Sequence, residues 1–215
     1  DLESMARLLA GARRVVVECH PRLVGSECFA FADTLDGRLE VALGLETVHP
    51  EAFPRLNKGM ELADFDRAAG RLRERGIAVR AFVQVGAPFV PPGEAVPWAV
   101  RSAAHALAAG AASVALIPAR GGNGAMEALA ERGAFTPPTL GELEEALARS
   151  LELPEARAGA VVTADLWDLE RFASCPRCLE PRRARLARMN LAGAVEPPVP
   201  CAECGGTSAT AGGAR

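Results

Sequence analysis

Four short, nearly continuous apolar runs recur along the N-terminal half of the chain. They are 14–18 (RVVVE), 39–45 (LEVALGL), 77–85 (IAVRAFVQV) and 112–117 (ASVALI). Runs of this length without strict alternation predict strands covered on both faces. Between them, apolar residues spaced three and four apart predict helices over 51–56, 62–75, 94–109 and 125–132. Ala63-Asp64 precedes Phe65, Ala68 and Leu72 and starts one of these. Gly76 ends it, at the position where a left-handed backbone is cheap only for glycine. After Pro137-Pro138 the pattern predicts a helix over 140–151 and a strand over 159–166, and then the cysteines begin.

Strand–helix–strand repetition makes parallel sheets. The polar residues choose between a doubly wound sheet and a barrel. Glu18, Glu46, Arg80 with Gln84, and the loop from Arg120 to Gly124 fall at or near C-terminal strand ends. Barrels converge those ends on one mouth, whereas a doubly wound sheet converges them only at its switch point. The expected fold class is therefore α/β: a partial (β/α) barrel over 1–150, built of four strand–helix units. A C-terminal extension over 151–205 carries a four-cysteine metal knuckle, and a Gly/Ala/Thr-rich tail over 206–215 reads as disordered.

Composition changes the picture in three places. A net charge of −3 excludes wholesale nucleic-acid coating, yet Arg171, Arg177, Arg182, Arg183, Arg185 and Arg188 form a locally basic stretch. Lys58 is the sole lysine in a chain otherwise served by arginine. No apolar run reaches the roughly 18–20 residues of a membrane span, and the opening Asp1-Leu2-Glu3-Ser4 has no signal-peptide character. The expectation is a cytoplasmic protein without membrane association. Because the chain opens on Asp1, it is also expected to be a fragment, a processed chain or an incomplete gene product.

Cys175-Pro-Arg-Cys178 and Cys201-Ala-Glu-Cys204 are separated by 22 residues. Each C-x₂-C turn places two thiolates on one side of an ion, and two such turns complete a tetrahedron, so a closed structural zinc site is expected. A four-thiolate iron–sulfur cluster, redox-active thiols and paired disulfides are the alternatives. Cys19 and Cys28 read as small buried residues. Charges within or at the ends of apolar strands (Glu18, Glu46, Lys58 and Arg80) must face one another or a polar ligand, since a lone buried charge costs several kcal/mol.

The motifs Val-Val-Val-Glu-x-x-Pro ending at Pro21, Glu-Val-Ala-Leu-Gly-Leu-Glu-Thr ending at Thr47, Arg55-Leu-Asn-Lys-Gly59, and Gly-Ile-Ala-Val-Arg-Ala-Phe-Val ending at Val83 resemble the third to sixth barrel strands of the radical SAM superfamily. Asp165-Leu-Trp-Asp-Leu-Glu170, the paired C-x₂-C turns and Arg185-Leu-Ala-Arg-Met-Asn-Leu191 resemble the archaeosine synthase radical SAM subunit and its bacterial homologues. The resemblance implies that Glu18 contacts the methionyl or ribose moiety of S-adenosyl-L-methionine (SAM) and that Glu46 contacts the ribose. It implies that Lys58 pairs with the SAM carboxylate, that Arg80 and Gln84 hold SAM or substrate, and that Ile117 and Pro118 form a shelf under adenine.

The superfamily's C-x₃-C-x₂-C loop and Gly-Gly-Glu motif do not occur in this sequence. The ligands of a [4Fe–4S] cluster are thus expected outside this chain, in an upstream segment or partner chain that completes the barrel, leaving this chain inactive alone. The resemblance further implies radical chemistry on a tRNA nucleoside, with tRNA held through the Arg171–Arg188 region. The other reading is a non-catalytic zinc-ribbon protein on a degenerate barrel, binding RNA or serving assembly.

Overall fold

A computed structural model describes residues 2–204, so the tail expected over 206–215 lies outside the described residues. In chain order the elements are α1 (Leu2–Leu8), β1 (Arg14–Cys19), α2 (Ser26–Asp33), β2 (Arg38–Glu46), α3 (Ala52–Arg55), α4 (Leu62–Glu74), β3 (Ala78–Val85), α5 (Ala95–Ala108), β4 (Ser113–Pro118), α6 (Ala125–Glu131), α7 (Leu140–Leu151), α8 (Pro154–Arg157), β5 (Val161–Ala164) and α9 (Pro176–Ala192). Single 3₁₀ turns occupy Pro21–Leu23 and Leu169–Phe172.

The strands form one parallel sheet in the order β1-β2-β3-β4-β5. Consecutive order with no reversal belongs to a singly wound barrel wall, not to a doubly wound sheet. The two faces differ accordingly. Val41, Leu43, Val79, Val83, Val114, Leu116 and Val162 are buried, while their alternate neighbours Val16, Phe82, Gln84, Ile117 and Thr163 remain partly or largely exposed. Helices cover the first face; the second, the inner face of the wall, is more exposed except along β2, where Glu40 and Ala42 are also buried. The expected four-unit sheet gains a fifth strand, β5, so it continues beyond residue 150.

Each covering helix buries the stripe its spacing predicts. α4 buries Phe65, Ala68, Ala69 and Leu72, and α7 buries Leu140, Leu143, Ala146, Leu147 and Leu151. Each fully buried Leu or Phe is worth about 1.5–3 kcal/mol. Gly76 follows α4 with φ +68°, as its place after the helix requires. At the outer edge of β5, the Asn190 side chain of α9 accepts from Ala164 N and donates to Ala164 O, both at 2.8 Å. It pairs that residue as a sixth strand would. No helix among the described residues is long and apolar enough to cross a membrane.

Candidate functional site

At the C-terminal end of β2 the register with β3 shifts between Gly44 and Glu46, and Glu46 takes φ +66°. A left-handed non-glycine residue costs about 1–2 kcal/mol. The bulge swings the carboxylate to Lys58, whose Nζ lies 2.5 Å from Glu46 Oε1 and 2.8 Å from Gly44 O. Gly44 makes room for the pair: a Cβ would lie 2.5 Å from both Glu46 Oε1 and Lys58 Nζ, and these side-chain ends would have to move apart. The loop bearing Lys58 is clamped from β1: Lys58 O lies 2.9 Å from His20 Nε2, and Arg22 Nη1 donates to Gly59 O at 2.8 Å.

The ion pair stands between two clefts. The larger, about 610 Å³, is lined by Glu46, Arg55, Lys58, Gln84, Phe89, Met126 and Leu129 among others. Gln84 Oε1 is buried in the protein without a hydrogen-bond partner among the described residues. Phe89 has φ +68° and packs its ring under the Arg55 guanidinium at 4.0 Å. Among the described residues, three of the four left-handed non-glycine positions, Glu46, Asn57 and Phe89, line this cleft or adjoin its lining, and such strain clusters where a site is pre-formed. The smaller cleft, about 300 Å³, is lined by Glu18, Cys19, His20, Glu46 and Lys58 among others. The structure therefore gathers Glu18, Glu46, Lys58 and Gln84 at one end of the sheet. Ile117 pairs in register with Gln84 and is half-buried, Pro118 pairs with Val85 and is buried, and neither lines these clefts.

Arg80 corrects the expectation of a common rim. It is the third residue of β3 rather than one near its end, and its Nε donates to Glu40 Oε1 at 2.7 Å. Glu40 also accepts from Arg14 at 3.2 Å. The charge in the apolar strand is thus answered by another charge one strand away, the solution that burial demands. Arg120 does lie past the end of β4, but it is engaged: its Nη2 lies 2.5 Å from Asp165 Oδ2, just beyond β5.

The four C-terminal cysteine sulfurs lie within 4.8 Å of one another, with Cys175–Cys201 at 3.9 Å and Cys178–Cys204 at 3.7 Å. These separations are far beyond a disulfide bond of about 2.05 Å. They match the edge of about 3.8 Å that metal–sulfur bonds of about 2.3 Å give in a tetrahedron. This is a four-thiolate metal site. Cys175 caps α9, Cys178 sits in its first turn, and the Pro-rich return after Gly193 brings Cys201 and Cys204 back. Backbone N–H groups of Cys204 and Glu203 lower the Cys201 thiol to about 7, whereas desolvation pushes Cys178 up.

The arginines of the same region are internally paired. Arg182 and Arg185 close on the buried Glu144 of α7 at 2.5 and 3.2 Å and dock α9 onto the wall. Arg183 pairs with Glu170, Arg188 with Glu196 and Arg177 with Glu203.

No family model and no curated protein matches the sequence. The structure is similar to Elp3 from the archaeon Methanocaldococcus infernus, with TM-score 0.58 and 15% identity, covering 82% of this chain and 42% of that one. What they share is the fold. Lower likenesses reach the radical S-adenosylmethionine methyltransferase TsrM from Kitasatospora setae (TM-score 0.40, 21% identity, 54% and 23% covered) and the HMG-CoA lyase from Brucella melitensis (0.39, 16%, 70% and 46%). The chain spans less than half the length of each of these proteins.

Sequence reasoning overlooked Glu40, Arg55, Phe89 and Asn190. Glu40 had a signal: a carboxylate inside LEVALGL needs a cation as much as Arg80 needs an anion. Phe89 and Asn190 had none, since nothing local marks a left-handed phenylalanine or a side chain that completes a sheet edge.

Proposed function

We propose that this chain forms the SAM-facing C-terminal part of a radical SAM enzyme acting on a tRNA nucleoside, with zinc at the four cysteines. The observation that carries this reading is the Lys58–Glu46 pair, held in a strained bulge between two clefts beside the unpartnered Gln84 Oε1. These residues fit SAM. The Lys58 ammonium binds its carboxylate, Glu18 and Glu46 accept from its hydroxyl groups, and Gln84 Oε1 accepts from an N–H. Phe89, Met126 and Leu129 exclude water from the larger cleft. Bound and reduced, SAM supplies a 5′-deoxyadenosyl radical for the chemistry. Among the described residues Cys19 is the one cysteine lining either cleft, which does not fit a [4Fe–4S] cluster. In this reading an upstream segment or partner chain pairs with the wall and supplies the cluster ligands, and this chain alone leaves SAM intact.

The exposed arginines of the 171–188 region support the tRNA part. Arg171, Arg177 and Arg188 hold surface ion pairs that water and salt screen, and can exchange a carboxylate for a phosphate. The test is anaerobic reconstitution with iron, sulfide, dithionite and SAM, with and without the segment encoded upstream. 5′-Deoxyadenosine should appear only with that segment and disappear on Lys58→Ala. No product under either condition would sink the reading in favour of a non-catalytic RNA-binding or assembly protein, which the lack of a cluster ligand set at the clefts also suits.

A further inference from the structure

The sequence supplies two tryptophans, and the fold treats them oppositely. Trp98 packs against His49 at 4.4 Å and donates its indole N–H to Glu94 at 2.8 Å. Trp167 follows β5, at the end of the sheet where Glu46 and Gln84 lie, and is 69% exposed. Its indole N–H has no acceptor among the described residues. Leaving so large an apolar ring in water is not the result of a loose segment. Trp167 N donates to Asp165 Oδ1 at 3.0 Å, and Asp168 is fixed at φ +59°. Leu169 and Phe172 then anchor the turn in the core.

The ring is one layer of a built stack. The Arg120 guanidinium carbon lies over the Trp167 ring, 4.7 Å from its centre, and 5.8 Å from the centre of the Phe172 ring, so one cation contacts both aromatics. Asp165 Oδ2 holds Arg120 from the side at 2.5 Å. Nearby, Arg171 Nη1 donates to Gly121 O at 2.9 Å and its Nε lies 3.4 Å from Asp168 Oδ2, a surface pair that leaves the guanidinium half-exposed and able to exchange the carboxylate for a phosphate. Arg120 thus backs Trp167 from the protein side, with Phe172 buried behind, and leaves the indole open to water. A planar, electron-poor partner with an attached anion completes this arrangement: its ring lies on the indole, and its charge meets Arg171. Because the layers are already fixed, little side-chain entropy is lost on binding.

We propose that Trp167, backed by Arg120, is a stacking platform for an unpaired base of single-stranded RNA. Bases in a duplex are covered on both faces by their neighbours and cannot lie on the ring. The inference deepens the tRNA part of the proposed function and needs neither SAM nor a cluster. Its experiment is correspondingly independent.

In the Trp98→Phe protein, Trp167 is the only indole, and its fluorescence is titrated with a short single-stranded RNA. Three comparison ligands are the same RNA as a duplex, an abasic version, and an acidic peptide. Saturable quenching by the single strand alone is expected. Anisotropy of the labelled RNA should show binding weakened about 10- to 100-fold by Trp167→Ala and little changed by Trp167→Phe. Equal binding of the abasic strand, equal affinity of Trp167→Ala, binding of the peptide instead, or no binding of any ligand would each overturn the proposal. With the upstream segment restored, SAM binding by Trp167→Ala should match that of the parent protein. Absence of SAM binding in both, with the quenching intact, would remove the radical reading and leave the platform standing; loss in Trp167→Ala alone would assign the indole to the SAM site and overturn the proposal.

Discussion

Across adjacent strands, the Nε of Arg80 sits 2.7 Å from Oε1 of Glu40. Glu40 is only 4% exposed, so its charge depends on Arg80 and, more weakly, on the exposed Arg14 at 3.2 Å and the Ser113 hydroxyl at 3.4 Å. Arg80→Met removes the shortest of these contacts. It should lower the unfolding free energy by about 1–3 kcal/mol, read as a shifted urea midpoint. The double variant Arg80→Met/Glu40→Leu should recover part of this, because no buried charge is then left alone. Additive losses would show that the two residues do not act as a pair.

Glu46 and its backbone make opposite demands. Glu46→Gly relieves the positive φ and should leave thermal stability unchanged or raise it by up to about 1 kcal/mol. Calorimetric titration of the chain, with its upstream segment restored, should show SAM affinity lost in the same variant. A variant that loses stability and keeps affinity would assign Glu46 to the scaffold alone.

Gly44→Ala tests the close approach rather than the charge. The added methyl meets the carboxylate and the ammonium, both at the ends of side chains, so the fold should survive while the Lys58–Glu46 pair separates. A crystal structure with Lys58 Nζ still on Gly44 O would contradict this.

Metal binding should release protons in a pH-dependent number. Without metal the Cys201 thiol, lowered to about 7, is mostly thiolate at pH 8 and mostly protonated at pH 6. Zinc therefore displaces about one more proton at pH 6 than at pH 8, and its affinity falls as pH drops through 7. Titration calorimetry in buffers of different ionisation enthalpy counts those protons. Cys201→Ser should abolish tight zinc binding and lower thermal stability, since ion binding and the closure of the 193–200 return are one event.

Much of the wall was legible because its chemistry is local. Phe65, Ala68 and Leu72 mark α4 without knowledge of anything outside it, and the two C-x₂-C turns announce a four-thiolate metal site by spacing alone. Arg80 shows where that legibility stops. A charge inside an apolar run reveals that a partner exists, but strand stagger decides which neighbour supplies it, and stagger is set by packing elsewhere. α9 was obscured by its own contents: Pro181 sits inside it, and its arginines read as a basic surface until Glu144, on a helix more than thirty residues earlier, claims two of them. The left-handed backbone at Glu46 and Phe89 is likewise imposed by partners distant in sequence.

The strand order β1-β2-β3-β4-β5 has a consequence for how the molecule is made. Each strand after β1 has a neighbour translated just before it, so the sheet's ladder can be laid from one side like planks, each new strand covering the unsatisfied amides of the last. Asn190 then closes the final plank only after the whole wall has been laid.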